Sequence, residues 1–152
     1  MKHVKKSVLI WYSPREMYAL VTEVRDYPAF LPWCERAEVL EQHDAGVTAR
    51  LHLSYLGVRQ SFTTRNAHAP DASVVLELVD GPFSLLDGTW RFVPLPASEG
   101  ATAKACKVEF DLAYEVSDRV LDRMAVKAVD GVSRSMMDAF IRRAEATLPV
   151  ID

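Results

Sequence analysis

The sequence has few cysteines and no long apolar run, and these two shortages narrow the class of protein. Only two cysteines, Cys34 and Cys106, occur in 152 residues, too few for a disulfide framework or a cysteine metal site. We predict that both are reduced thiols in the core. No apolar stretch approaches the roughly 20 residues of a membrane-spanning helix. The apolar run at 8–12 is also too short for a signal peptide, so we expect a cytoplasmic protein that begins at Met1.

Positive and negative charges also nearly balance. The formal net charge is −3 and the isoelectric point is near 5.8, so the chain lacks the overall basic character of many nucleic-acid-binding domains. Its 49% hydrophobic and 26% charged residues are ordinary for a globular protein. A chain of this length and composition predicts one domain over residues 1–152.

Alternation of apolar and polar residues predicts seven strands, joined mostly by short turns. They are expected at 1–12, 35–42, 47–55, 58–67, 73–79, 85–94 and 106–114. Consecutive strands with short connections favour an antiparallel sheet.

Helix signals flank this run of strands. Ser13, Pro14 and Glu16 form a capping-box pattern that predicts a helix running to about Asp26. The next segment, DYPAFLPWC at 26–34, is apolar but interrupted by two prolines, and is expected to form a short helical turn. A last helix is expected from Ser117 to about Leu148.

The last helix is strongly amphipathic. At 100° per residue one face carries Leu121, Ala125, Ala128, Val132, Met136 and Ala139, and the opposite face carries Arg119, Arg123, Lys127 and Arg134. A helix with small inward residues laid across a curled sheet can leave unfilled space. Two interpretations stay open: bulky sheet residues fill that space, or the space is a ligand pocket.

Three longer segments carry a family resemblance: RDYPAFLPWC at 25–34, LVDGPFSLLDGTWRF at 78–92 and ACKVEFDLAYEVSD at 105–118. With LGVRQSFTTR and MMDAFIRRAE in support, the chain resembles the coenzyme Q-binding START-domain family of the polyketide cyclase/dehydrase-like superfamily. That family includes mitochondrial coenzyme Q chaperones and bacterial ribosome association toxins. Val116 departs from the pattern, which has an aromatic residue before the final helix. The absence of a mitochondrial targeting extension favours a bacterial member.

The resemblance implies an α+β helix-grip fold of the START/Bet v 1-like type. A seven-stranded antiparallel sheet would wrap around a long C-terminal helix, two short helices would follow strand 1, and a hydrophobic tunnel would lie between sheet and helix. The segment at 26–34 would lie at one mouth of this tunnel. Alternatively, Phe30, Leu31 and Trp33 plug the end of the sheet. The expected ligand contacts are Tyr27, Phe30, Leu31, Trp33, Gln60, Phe62, Phe83, Leu86, Trp90, Phe92, Tyr114, Met124, Ala128, Val132 and Met136.

Motifs for catalysis or metal binding are missing from the sequence. It has no Gly-rich phosphate loop, serine nucleophile elbow or paired-histidine spacing, so we predict no catalytic residue, no metal and no resident cofactor. The scattered histidines, His43, His52 and His68 among them, are expected near solvent. Gln60, Thr64 and Tyr114 have the inward parity of their strands. They would either hydrogen-bond quinone oxygens or serve packing.

Two functions from different classes follow from these expectations. The first is non-enzymatic binding and chaperoning of ubiquinone or a similar isoprenoid quinone, in support of respiration and with transient contact to the inner-membrane surface. The second is a ribosome association toxin that binds the large ribosomal subunit and blocks subunit joining. Its sequence support is the basic face of the last helix and the basic start Lys2, Lys5 and Lys6, although interspersed aspartates are typical of a solvated face. A weaker alternative is an oligoketide cyclase.

Overall fold

The computed structural model describes residues 2–55, 57–95, 104–117 and 123–148, and for residues 123–125 it describes the backbone alone. The strands are β1 (Lys2–Ile10), β2 (Cys34–His43), β3 (Gly46–Tyr55), β4 (Val58–Ala69), β5 (Ser73–Asp80), β6 (Phe83–Pro94) and β7 (Cys106–Val116). The helices are α1 (Pro14–Thr22), α2 (Tyr27–Phe30) and α3 (Arg123–Thr147), and a 3-10 turn at Val24–Asp26 joins α1 to α2.

All seven strands form one antiparallel sheet in the order β1-β7-β6-β5-β4-β3-β2. Strands β2 to β7 follow one another as neighbours, and β1 closes the far edge beside β7, with Val8 opposite Val108. The sheet and the long C-terminal helix confirm the predicted helix-grip fold. Every predicted strand is present, with ends that differ by at most three residues.

Helix α1 begins as the capping box predicts but ends earlier than expected. The Ser13 hydroxyl accepts from the Glu16 amide, and the Glu16 carboxylate accepts from the Ser13 amide, each at 3.0 Å. The α-helix stops at Thr22 rather than near Asp26, because Glu23 leaves helical geometry at φ −84° and ψ 75°. The Thr22 hydroxyl donates to the Tyr18 carbonyl at 2.9 Å, a side-chain bond that competes with continued helix.

Irregularities in strand pairing curl the sheet. The register shifts twice along β2, once between Thr63 and Thr64 of β4, and once between Phe83 and Leu85 of β6. Such bulges bend a strand and increase its twist. The sheet therefore has a concave face, and α3 lies across it.

The inward face of α3 is close to the predicted one. Ala128, Val132 and Ala139 are buried, and Met136 is half-buried. The pattern missed Phe140, which is 1% exposed and packs edge-on against Trp90 at 5.1 Å between ring centroids. The predicted helix start after Ser117 and the side chains of Arg119, Leu121, Arg123 and Ala125 lie outside what the structure describes.

Candidate ligand-binding cavity

An internal cavity lies between the concave face of the sheet and α3. Its volume is about 70 Å³, which is room for a few water molecules. Space is left here because short side chains meet: Ala49 on β3 stands directly opposite Thr64 on β4, and α3 contributes Val129, Val132 and Ser133. The cavity is smaller than the roughly 300–1,000 Å³ of drug-sized ligand sites, so a quinone would enter only with outward movement of the walls.

The cavity walls are almost entirely apolar and come from the sheet, α3 and the α1–α2 segment. Its aromatic lining consists of Tyr27, Phe62, Phe83, Trp90 and Phe110. Its aliphatic and sulfur-containing lining consists of Val21, Val24, Ala49, Leu51, Leu53, Val74, Leu76, Leu86, Leu112, Val129, Val132 and Met136. Such a lining suits an apolar ligand.

Some of the expected ligand contacts meet around this cavity. They are Tyr27, Phe62, Phe83, Leu86, Trp90, Val132 and Met136. Phe62 has the inward parity that was predicted for Gln60 and Thr64, and Leu86 and Trp90 share one face of β6. Phe83 lies at the opposite parity and before the predicted strand, and the register shift between Phe83 and Leu85 separates it from them. The role of these contacts in binding a ligand stays a prediction.

The remaining expected contacts lie away from the cavity. Buried in the surrounding core are Leu31, Trp33, Phe92, Tyr114 and Ala128. Gln60 keeps the inward parity but lies near the end of β4, in a shallow surface groove beside Glu35 and His52. Phe30 packs against α3, and the side chain of Met124 lies outside the described residues.

The proline-bounded segment at 26–34 mostly packs away from the cavity. Leu31 and Trp33 are 1% and 2% exposed. The Trp33 carbonyl accepts from the Ser54 amide at 2.8 Å, which ties this part of the segment to β3. Phe30 packs on Phe140 at 5.1 Å between ring centroids. Of this segment only Tyr27 lines the cavity, and the role of Phe30, Leu31 and Trp33 in ligand binding stays a prediction.

Polar groups enter the cavity mainly from β4. Thr64 and Asn66 are 6% and 7% exposed, and the Thr64 hydroxyl donates to the Asn66 side-chain carbonyl at 2.7 Å. The Ser133 hydroxyl donates to the Val129 carbonyl at 2.9 Å, and the Tyr27 hydroxyl donates to the Val21 carbonyl. Sequence reasoning named Thr64 but missed Asn66 and Ser133. The alternation of β4 could have found Asn66, since it shares the inward parity of Phe62 and Thr64.

Tyr114, expected to face the ligand, instead anchors α3. Its hydroxyl donates to the Asp130 carboxylate, whose other oxygen lies 2.5 Å from the Lys2 Nζ of β1. Burial, followed by the contact with Asp130, raises the pKa of Tyr114 to about 12. Burial acts to raise the pKa of Asp130, but the hydrogen bonds from Lys2 and Tyr114 outweigh it, and the carboxyl stays below its ordinary pKa. The three side chains join β1, β7 and α3.

Groups suited to catalysis are scarce around the cavity. Burial raises the pKa of both Cys34 and Cys106 to about 11, so both thiols stay protonated near neutral pH. Both are buried and unpaired, as predicted. Tyr27 is the one titratable residue among the described cavity-lining side chains, and burial raises its pKa far above the ordinary value. Within the described ranges, no three histidine, cysteine or carboxylate side chains are grouped as metal ligands.

Three of the four histidines are less exposed than expected. His52 is paired with Glu38 at 2.9 Å, and the His43 ring nitrogen lies 2.9 Å from the Thr48 hydroxyl. His68 is half-buried against Tyr18, at 6.1 Å between ring centroids, and its Nε2 has no hydrogen-bond partner in the described part of the chain. Burial lowers the pKa of His68. Contacts with neighbouring elements, which strand parity cannot foresee, account for this difference.

Basic residues from the two ends of the chain meet on one side of the molecule. Lys2 pairs with Asp130 of α3, and the Lys6 Nζ donates to the Arg134 carbonyl at 2.8 Å. Lys127 and Arg134 are exposed, as the helix pattern predicted. We call Lys2, Lys6, Lys127 and Arg134 the basic patch.

A sheet that grips a C-terminal helix over an apolar cavity defines the class of helix-grip domains. Residues 10–141 match the model of the family described as polyketide cyclase / dehydrase and lipid transport, and the chain belongs to that family. The Zhui aromatase/cyclase of Streptomyces sp. R1128 has the same fold, with a TM-score of 0.79 over 98% of this chain and 96% of that one. At 18% identity this likeness concerns the fold alone.

Relatives by sequence include two differently named proteins. The ribosome association toxin RatA of Vibrio cholerae is 39% identical over 145 residues, 95% of this chain and 96% of the relative. The mitochondrial coenzyme Q-binding protein COQ10 homolog B of Xenopus laevis is 27% identical over 140 residues, 91% of this chain and 56% of the relative. These likenesses confirm the family resemblance read from the sequence. No helix of the described ranges has both the length and the apolar character needed to cross a bilayer.

Proposed function

We propose that this protein binds ubiquinone or a similar isoprenoid quinone beneath α3 and carries it without changing it chemically. The observation that carries this proposal is the apolar cavity between the sheet and α3, whose described lining offers one titratable group and a few hydrogen-bonding ones. The relative named as a coenzyme Q-binding protein supports the choice of ligand. A cavity with such walls is suited to holding a ligand rather than to acid–base chemistry.

The free energy of burying the quinone tail favours transfer of the ligand over long-term storage. Burying one five-carbon isoprene unit is favourable by about 4 kcal/mol, at ~0.8 kcal/mol per carbon. A bilayer offers the quinone tail the same gain, so binding must compete through shape and a few polar contacts. We therefore expect modest affinity relative to membrane, which suits transfer of the ligand.

The small volume of the cavity requires that α3 or the α1–α2 segment shift when a quinone enters. Within the described residues, Tyr114 and Lys2 hold Asp130 of α3, and Lys6 holds the Arg134 carbonyl. These polar contacts lie at the edge of the sheet, so the apolar underside of α3 can separate from the cavity walls without breaking a buried ion pair.

Extraction of the bound lipid tests this function. Protein purified without detergent would be extracted with organic solvent, and the extract would be analysed for quinones by mass spectrometry. Stripped protein would then be titrated with quinone. The matched control is Ala49→Leu, which fills the cavity from β3 and should abolish uptake. Wild-type protein that neither carries quinone nor takes it up would overturn the proposal.

Ribosome association is a second candidate, favoured by a different observation. The relatives named ribosome association toxin are up to 39% identical over nearly the whole chain, and the basic patch gathers cations from both ends of the sequence. Affinity for RNA rests largely on phosphate contacts with such cations and weakens as salt rises. Co-sedimentation of the protein with purified ribosomal subunits, at low and at physiological salt, tests this candidate directly.

A further inference from the structure

Resting on the proposed function, we infer that Asn66 is the hydrogen-bond donor that holds a carbonyl oxygen of the bound ligand, and that the site selects neutral, oxygen-bearing rings. The inference concerns a residue pair on β4, Thr64 and Asn66, which lies at the cavity and shares one hydrogen bond. It assigns the polar end of the ligand to this part of the sheet, away from Tyr114.

The side chain of Asn66 is largely buried, and its amide uses its oxygen but not its two N–H donors in the described part of the chain. Asn66 is 7% exposed, and the Thr64 hydroxyl donates to its Oδ1 at 2.7 Å. In this arrangement Oδ1 accepts and the Nδ2 group keeps both of its donors. Its Nδ2 group makes no hydrogen bond to the described part of the chain. Buried amide donors in proteins are nearly always satisfied, so an acceptor supplied by a ligand or a water belongs beside Nδ2.

The hydroxyl groups of the cavity have already committed their donors. The Ser133 hydroxyl donates to the Val129 carbonyl, and the Tyr27 hydroxyl donates to the Val21 carbonyl. The Thr64 hydroxyl donates to Asn66. Among the described lining residues, the Asn66 amide and the Trp90 indole N–H therefore keep donors without a protein acceptor, and Asn66 is the one of the two that lies beside another polar cavity group, Thr64. A ligand that matches this pattern presents an oxygen acceptor within an otherwise apolar body.

The lack of basic side chains in the described cavity wall indicates an uncharged ligand. No lysine, arginine or histidine lines the described cavity wall, so a carboxylate or phosphate would be buried there without a counter-ion. Burying an unpaired charge is far more costly than burying a neutral carbonyl that receives a hydrogen bond. A quinone ring, with neutral carbonyl oxygens on an apolar frame, fits, whereas a fatty acid anion or a lipid phosphate does not.

The test compares two probes with the same decyl tail, decylubiquinone and decylbenzene; decylbenzene lacks the ring carbonyls and also the methyl and methoxy substituents. Wild-type protein should bind decylubiquinone more tightly. Asn66→Leu keeps the bulk but removes the donors, so its affinity for decylubiquinone should fall roughly three- to tenfold, as expected for one hydrogen bond. Its affinity for decylbenzene should be unchanged or higher. Thr64→Val leaves the Asn66 donors in place but removes the hydrogen bond that holds the amide. It should therefore lower the affinity for decylubiquinone less than Asn66→Leu does.

Thr63→Val is the matched control. Thr63 is as buried as Thr64 on the same strand, but its hydroxyl accepts from Arg50 Nε at 3.1 Å. This variant should bind both probes like wild type. If Asn66→Leu does not fold, infrared spectra of decylubiquinone bound to wild-type protein decide instead. A hydrogen-bonded carbonyl absorbs at lower frequency than the same quinone in alkane, and an unshifted band would overturn the assignment.

The possible outcomes distinguish a wrong assignment of Asn66 from a wrong proposed function. If Asn66→Leu and wild type bind decylubiquinone equally, the assignment of Asn66 is wrong while quinone binding stands. If Asn66→Leu loses both probes to the same extent, the residue shapes the cavity and the hydrogen-bond role is wrong. If wild-type protein binds neither probe, the site and the proposed function fail together.

Discussion

The Tyr114 hydroxyl donates a hydrogen bond to the Asp130 carboxylate, and this bond joins β7, the strand next to the edge strand β1, to the helix that covers the sheet. Tyr114 is 2% exposed and lies on β7, while Asp130 lies one turn into the described side chains of α3. The same carboxylate meets Lys2 of β1. The position of α3 over the cavity therefore depends on a polar contact as well as on apolar packing.

Removing that hydroxyl should loosen α3. Tyr114→Phe is expected to lower the free energy of unfolding by roughly 1.5–3 kcal/mol, the usual range for a hydrogen bond to a charged group. Chemical denaturation measures this loss. The control is Tyr12→Phe, at a buried tyrosine whose hydroxyl makes no hydrogen bond within the described ranges. Equal stability losses in the two variants would show that the bond to Asp130 contributes nothing beyond the aromatic ring.

Leucine substitutions at two buried alanines test whether the cavity is empty space that accepts a side chain. Ala49 and Ala128 are both buried, at 2% and 0% exposure, but only Ala49 lines the cavity. Ala49→Leu should be tolerated, because the added carbons enter empty space. Ala128→Leu should cost roughly 1–3 kcal/mol, as overpacking a filled core does. Denaturation curves of both variants decide, and a larger loss for Ala49→Leu would show that the cavity cannot accept the side chain.

The strands and the cover helix could be predicted because their patterns are local. Val108, Phe110, Leu112 and Tyr114 alternate with polar residues along β7, and this period of two needs no tertiary information. The capping box of Ser13 and Glu16 likewise appears in the structure as predicted. For the segment at 26–34 the sequence left two interpretations open, a tunnel mouth and a plug. Its prolines indicate a break, but which way Leu31 and Trp33 turn depends on the backbone bond between Ser54 and Trp33.

The polar contents of the cavity were harder to predict. Parity placed Thr64 and Tyr114 on the inner face correctly, but their roles depend on partners far along the chain. Tyr114 meets Asp130, which the helix pattern had assigned to a solvated face. Asn66 shares the inward parity of Phe62 and Thr64, but whether this face borders a cavity depends on how α3 packs over it. Such pairings arise from tertiary packing, and the sequence of one strand does not contain them.

Gly46 at the start of β3 should not tolerate a side chain. A Cβ there would lie 1.9 Å from the Asn66 carbonyl oxygen, which is backbone and cannot move aside alone. Gly46→Ala should therefore destabilise the β3–β4 pair strongly. Gly57→Ala is the comparison, since its Cβ meets nothing within 4 Å and its φ of 80° alone should cost about 1–2 kcal/mol. If the two variants melt alike, β3 can shift away from β4 at this point.

His68 should make the fold sensitive to mild acid. Burial lowers its pKa, so below about 6.5 the unfolded chain binds a proton that the folded protein accepts only at lower pH. Stability contributed by the neutral ring is then present above pH 6.5 and is lost as pH falls toward the lowered folded pKa. Wild type should lose more thermal stability between pH 7.5 and 5 than His68→Gln does. His3→Gln, at an exposed position, should behave like wild type.

Charge reversal on the basic patch separates the two candidate functions. Lys127 and Arg134 are exposed on α3 and do not line the cavity, so Lys127→Glu with Arg134→Glu should leave quinone uptake nearly unchanged. Exposed charges contribute only about 0–1 kcal/mol per pair to stability, so the fold should survive. Association with ribosomal subunits, if it uses this patch, should be lost, because the reversed charges repel RNA phosphates.

Sucrose-gradient sedimentation with large subunits, run beside quinone titration, measures both properties on the same samples. The matched control reverses two exposed cations on other elements, Arg15 of α1 and Arg65 of β4. If wild type and this control sediment with subunits and the patch variant does not, ribosome association becomes the leading function. If none of the three sediments while all take up quinone, the carrier proposal stands alone. Loss of quinone uptake in the patch variant would instead mean that this side of α3 contributes to the ligand's entry, contrary to its placement here.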